Sequence, residues 1–144
     1  MTFPCCRPSA VVLILVVSAW GCGGNDGPKL ATVRGQVKLG GKPLTQAAVL
    51  FVPEEGRSST GVTDKDGKYE LGYARDRKGA VLGKHQVRIG TYLRANADGK
   101  TVPETVPARY NVHSELSRDV KSGKNEINFE LDATGPIVQP SATD

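Results

Sequence analysis

Four sets of residues in this chain could do chemistry if the fold brought them together. Asp64 and Asp66, in the run Thr63-Asp64-Lys65-Asp66-Gly67-Lys68-Tyr69-Glu70-Leu71, offer two carboxylates and a carbonyl to a cation. Ca²⁺ takes about six to eight oxygens, and no glutamate follows at the spacing of a calcium-binding loop, so the pair reads first as a tight polar turn. His85 and His113 are the only histidines, and with Tyr69, Tyr73, Tyr92 and Tyr110 they supply the residue types of a two-tyrosine, two-histidine iron site. They stand far apart, no His-x-His occurs, and His85 shares the parity of Val87 and Ile89, which fits a core histidine at a strand end. Ser114 follows His113, but neighbours on a strand point to opposite faces, and no Gly-x-Ser-x-Gly is present. Lys38 and Asn128 are the types that join as an isopeptide, yet both fall on outward parity, beside Val37 and Phe129. None of these sets assembles a reactive centre. The expectation is a protein with no catalytic residue, no cofactor and no metal.

The elements that would position these groups are strands. In residues 63–71 the Asp side chains can bond backbone amides two residues on, and Gly67 can take the positive φ of a tight turn. The pattern is strand, turn, strand. A first strand is expected over residues 32–39, with Val33, Gly35, Val37 and Leu39 on one face and Arg34, Gln36 and Lys38 on the other. The second, residues 47–53, is apolar on both parities and belongs in a central position. Further strands are expected over 59–63, 68–72, 84–94 and 125–131, with short runs around 108–110 and 116–121. The chain has 144 residues, 38% apolar and 24% charged, which bounds it to one domain. Its 17 glycines and 9 prolines suit short strands joined by turns. About seven strands spaced by turns predict an all-β fold, a single antiparallel β-sandwich.

Residues 1–21 read as a targeting segment. Arg7 is the only charge in it, and the apolar run Ala10–Trp20 is too short to cross a bilayer, which takes roughly 20 residues. Cys5, Cys6 and Cys22 are the only cysteines, so no disulfide can brace the later domain. Cys22 follows Ala19-Trp20-Gly21 and precedes Gly23-Gly24, an arrangement that resembles the lipobox of bacterial lipoproteins. That resemblance implies a diacylglycerol on the Cys22 thiol, cleavage before it, and acylation of the new amino terminus. Two or more acyl chains hold a protein stably on a membrane. Residues 22–31 then form a lipidated cysteine and a flexible spacer, and the chain is anchored rather than spanning. Lys and Arg number 19 against 15 Asp and Glu, and loss of Arg7 with the signal leaves an excess too mild and scattered to argue for nucleic acid.

In order and spacing, Val33-x-Gly35, Gly41-Lys42-Pro43-Leu44, Ala48-Val49-x-Phe51-x-Pro53, Thr63-Asp64-x-x-Gly67-x-Tyr69-x-Leu71, Gly79-Ala80-x-x-Gly83, Val87-x-Ile89 and Asn125-x-x-x-Phe129-x-Leu131 follow one another. The set resembles the carboxypeptidase regulatory-like domain, a transthyretin-like β-sandwich with Ig-like architecture, in the form found singly in small bacterial lipoproteins. It covers residues 32–132 and leaves 133–144 as a disordered tail. The resemblance implies an extracytoplasmic address, in the periplasm or at the cell surface, and no assigned activity. Transthyretin-like hydroxyisourate hydrolases end in Tyr-Arg-Gly-Ser, whereas this chain ends Ser-Ala-Thr-Asp.

The functional expectation is therefore a lipid-anchored, non-enzymatic β-sandwich module with a binding or structural role at the cell envelope. The alternative is an envelope hydrolase or metal-dependent enzyme of the same fold. Partners are the membrane, through the anchor on Cys22, and an envelope protein or glycan. Residues 95–107 are the longest stretch without a strand pattern, and Arg94, Asn96, Asp98 and Lys100 mark the candidate partner loop. Arg75-Asp76-Arg77-Lys78, with Arg94, Lys100 and Arg109, could face anionic glycans or lipid head groups, and reads more simply as solvated loop.

Overall fold

The computed structural model describes residues 27–92 and 102–139. Among the described residues twelve short strands stack in two sheets around one apolar core, so the all-β sandwich expected from the alternation is the fold observed. Among the described residues no helix is long and apolar enough to cross a membrane.

The first sheet is assembled on β1 (Leu30–Leu39). Its inward Ala31, Val33 and Val37 are buried while Arg34 is exposed, the two-residue period of a strand with one wet face. Along one side β1 pairs antiparallel with β2 (Lys42–Pro43), β5 (Lys68–Glu70) and β8 (Ala80–Val81). Along the other it pairs with β11 (Lys124–Glu126) and β12 (Phe129–Leu131), and these two run parallel to it. The second sheet has the order β10 (Ser117–Val120), β9 (Gly83–Gly90), β3 (Ala48–Pro53), β4 (Ser59–Val62), β6 (Gly72–Ala74), β7 (Arg77–Lys78). Every pairing in it is antiparallel. β3 is central, between β4 and β9, as its two-sided apolar composition requires.

Between the sheets lie Val33, Val37, Val49, Phe51, Leu71, Val87, Ile89, Phe129 and Leu131, each less than a tenth exposed. Phe51 and Phe129 meet edge to face at 6.3 Å, the geometry that ring quadrupoles favour. Arg118, on β10 at the sandwich edge, lays its guanidinium 4.9 Å from the Phe129 centroid and closes the core on that side.

Four details depart from the sequence reading. The single last strand expected over residues 125–131 is two, because the ladder to β1 is interrupted at Ile127 and Asn128 without a change of register, Arg34 pairing with Glu126 and Val37 with Phe129. The Asn128 Oδ1 accepts from Gln36 N at 2.8 Å where a ladder carbonyl would otherwise sit, and Tyr69 OH donates to Ile127 O at 2.7 Å. The strand expected over 84–94 ends at Gly90, where Thr91 and Tyr92 turn their amides to a side chain instead of a neighbouring strand. Ala108–Tyr110 forms a 3₁₀ turn rather than a strand. Residues 133–139, expected as part of a disordered tail, run back over the domain. Pro136 O accepts from Ala108 N at 2.9 Å, and Thr134 O accepts from Arg109 Nη2 at 2.8 Å.

The interruption dictates the residue opposite it. A Cβ on Gly35 would collide with the Ile127 carbonyl, the same oxygen that Tyr69 holds. Gly35→Ala must push β1 away from the Ile127 carbonyl, so it should destabilise the domain by about 2 kcal/mol or more, on the scale of overpacking. Equilibrium denaturation measures this, and an unchanged midpoint would contradict the close approach.

Candidate functional site

Cys22, Arg94, Asn96, Asp98 and Lys100 lie outside the described residues, as do the first part of the spacer and residues 140–144. What is described is the frame that holds the candidate partner loop. β9 delivers the chain to Gly90, and Glu104 receives it on the other side.

Glu104 is only 3% exposed, and its carboxylate is surrounded by donors. Oε1 accepts from Thr91 N at 3.0 Å, Thr105 N at 2.9 Å and Val106 N at 2.8 Å, and Oε2 accepts from Tyr92 N at 3.4 Å. The Thr91 hydroxyl lies 3.1 Å from Oε1 and 2.8 Å from Pro103 O, and itself accepts from Thr105 N at 3.0 Å. A carboxylate accepting several backbone N–H bonds is well solvated by the protein, which is what lets an acid be buried here. Gly90 leaves the space into which the carboxylate fits. From the other side, Gln139 Nε2 donates to Glu104 O and Gln139 Oε1 accepts from Glu104 N, both at 2.9 Å. The loop thus leaves and returns through one polar clamp, strapped by the C-terminal segment. The buried Asn111 carries the strap onward, its Nδ2 donating to Val106 O at 3.0 Å.

The other sets predicted from sequence are not brought together. Asp64 Oδ1 accepts from Asp66 N at 2.8 Å and Lys68 N at 2.9 Å, which makes the run a side-chain-closed turn with Gly67 at φ 73°. The Lys68 amide holds the Asp64 carboxyl below the usual carboxylate range, with the Asp66 amide adding to it. Among the described residues no group of three or more His, Cys, Asp and Glu could hold a metal. His85 is a core residue at 1% exposure, its Nδ1 2.9 Å from Gly83 O and its ring tilted against Phe51 at 5.7 Å. His113 is exposed in the segment after the 3₁₀ turn. Ser114 turns its hydroxyl to Val87 O, away from any histidine role. Burial pushes the Tyr69 phenol well above its ordinary value, with Arg118 opposing, and this keeps it a neutral donor to Ile127 O. Lys38 pairs with Glu130 at 3.5 Å on the outer face and Asn128 serves Gln36, so neither turns into the core. The outer face of the first sheet also has an open cleft of about 400 Å³, lined by Arg34, Gln36, Lys68, Glu126 and Asn128.

Glu104 and Gln139 went unnoticed in the sequence. The signal available was Glu104 itself, a lone acid framed by Val102-Pro103 and Val106-Pro107.

Two outcomes follow from this geometry. Glu104→Ala strands the amides of Thr91, Thr105 and Val106 and should cost about 3 kcal/mol, with faster hydrogen exchange at those three amides, while Glu104→Gln should cost less because one carbonyl acceptor remains. Asp64 and Asp132 both have carboxyls held low in the fold, Asp64 by the Lys68 amide and Asp132 by the Thr134 amide. Their contribution is complete above the ordinary carboxylate range and is lost as pH falls through the depressed values. Asp64→Asn should therefore flatten the acid limb of a stability-versus-pH curve, and an unaltered limb would contradict the turn geometry.

No family model and no curated protein matches the chain. Among solved structures it is similar to a DUF3823 family protein from Parabacteroides merdae ATCC 43184, at 15% identity and a TM-score of 0.39. That likeness covers 72% of this chain and 46% of the other, so the chain spans less than half of its length. It is also similar to a 9R-lipoxygenase from Cyanothece PCC8801, at 18% identity and a TM-score of 0.36, over 72% of this chain and 16% of that one.

Proposed function

We propose that this chain is a lipid-anchored, non-enzymatic binding module of the cell envelope, which presents the candidate loop of residues 95–107, fixed at its far end by the buried Glu104, to a protein or glycan partner. The observation that carries the reading is that the described chain comes in from Gly27 at one end of the sandwich and leads out past Gly90 at the other. Residues 27–29 come in beside Leu82, whose amide is 3.4 Å from Lys29 O, next to the start of β9. The chain leaves toward the loop from the other end of β9, about 23 Å away at strand rise. A chain tethered at Cys22 would carry that loop outward from the membrane.

Three further observations support it. The run Ala19-Trp20-Gly21-Cys22 has the small residue and the cysteine that acylation needs. The domain has no cysteine after Cys22, so its packing is independent of the redox state of the compartment. The buried acid Glu104 is committed to backbone amides that frame the loop, a positioning role. The resemblance to single-domain carboxypeptidase regulatory-like lipoproteins points to the same envelope address.

In a bacterium that processes lipoproteins, the full chain should incorporate labelled palmitate and partition into the detergent phase. Cys22→Ser should abolish the label. A photo-crosslinker at Asn96 of the acylated chain should capture an envelope component that one at Thr60, on the open sheet face, does not. No label on the wild-type chain would overturn the anchor, and equal capture at both positions would overturn the loop as the recognition element.

A further inference from the structure

We propose that the end of the sandwich nearest the tether is itself a membrane-docking surface for anionic phospholipid head groups, which holds the domain upright on the bilayer. The inference rests on the lipid anchor at Cys22 and adds an orienting contact to it.

Five cations converge where the chain comes in. Lys29 precedes β1 and is exposed. Arg77 Nη2 donates to Pro28 O at 2.8 Å and its guanidinium stands 5.5 Å from the Tyr73 ring, so the β6–β7 hairpin is fastened against residues 27 and 28. Lys78 follows it. The turn from β10 to β11 arrives at the same place, since Thr32 N donates to Gly123 O at 3.1 Å and Lys124 pairs with Thr32 in register. Lys121 opens that turn, tied by its amide to Asn125 Oδ1 at 2.9 Å, and both lysine side chains are exposed. Asp76 is the acid at the hairpin tip, and Lys78 pairs with Glu70 at 2.9 Å. On the second sheet at this end Lys84 stands opposite Asp119, and Glu54, Glu55 and Arg57 occupy the β3–β4 loop. The excess of positive charge therefore lies on the side formed by β1, β7 and the 121–124 turn. Among the described residues the opposite end is balanced, with Lys42, Lys65 and Arg109 against Asp64, Asp66 and Asp132, the last paired with Arg109 at 3.5 Å.

Length decides what this surface meets. Cys22 lies five positions before Gly27, so the intervening chain can extend at most about 17 Å. Acyl chains on Cys22 fix that residue at the head groups, and screening acts over about 8–10 Å at physiological salt. The basic end is held within one or two screening lengths of the bilayer, where each cation adds attraction to anionic lipid. A free anion in solution gains nothing from this tether, which is why the bilayer is the occupant.

The test uses the acylated full chain in vesicles of phosphatidylcholine alone or with phosphatidylglycerol, footprinted by lysine acylation and mass spectrometry. Lys29, Lys121 and Lys124 should be protected on anionic vesicles at low salt and reactive on neutral vesicles or at high salt. Lys42 and Lys65 should react equally on all. Lys121→Glu with Lys124→Glu should still float with vesicles while its docked-to-undocked ratio drops about tenfold or more, exposing Lys29. Equal reactivity of Lys29, Lys121 and Lys124 on both vesicle types, in protein that floats with both, would overturn the docking surface and leave the anchor intact. A wild-type chain that floats with neither would overturn the anchor, and the docking surface with it.

Discussion

One strand carries the architecture. Leu30–Leu39 hydrogen-bonds to five others, three antiparallel on one side and two parallel on the other, so the first sheet exists only as a set of partners to β1. Its inward residues Ala31, Val33 and Val37 form the floor against which Phe51, Ile89 and Phe129 pack. With no cross-link available in the domain, burial of these side chains, at roughly 1.5 to 3 kcal/mol each, has to offset the entropy of ordering the chain. The close passage of Gly35 past Ile127 is the tightest expression of that dependence, because there the strand meets its last partner backbone to backbone.

Polar groups inside the fold act as fasteners for irregular segments. Tyr69 pins the Ile127 carbonyl, Glu104 closes the loop base, Asn111 follows it, and the hydroxyl of Tyr110 accepts from Asp132 N at 3.1 Å to begin the C-terminal strap. Each sits where the chain stops being a strand and its amides would otherwise lack partners. The same logic explains the burial of Glu104. Backbone dipoles do the work of a counter-charge, and in return the acid fixes three consecutive turns of direction.

What was legible in the sequence followed from period and turn chemistry. Alternation through Val33, Val37 and Leu39, the two-sided apolar run of β3, and the Asp64–Gly67 turn all gave elements at the places read, and His85 sat in the core as its parity required. The failures share a cause. The end of β9 at Gly90, the 3₁₀ turn at Ala108–Tyr110 and the course of residues 133–139 are all set by long-range hydrogen bonds from Glu104, Arg109 and Gln139, and pattern along the chain does not carry such bonds. The split of the last strand is similar, since Phe129 and Leu131 keep the expected period while Asn128 exchanges a ladder bond for a side-chain one. The candidate loop stood out only as a gap in pattern, and its clamp depended on a single glutamate whose burial no composition reveals.

The pairing of the first strand with the last has a consequence for when the domain can form. The bond from Gln36 N to the Asn128 side chain joins residues 92 positions apart, and β11 and β12 complete one whole flank of β1. A nascent chain therefore emerges with β1 half-satisfied and must wait for nearly its whole length before that flank closes. Such delayed, non-local closure makes folding slow, and it leaves the polypeptide threadable for as long as its final third is unfinished. Lateness of this kind is a property of the strand order itself.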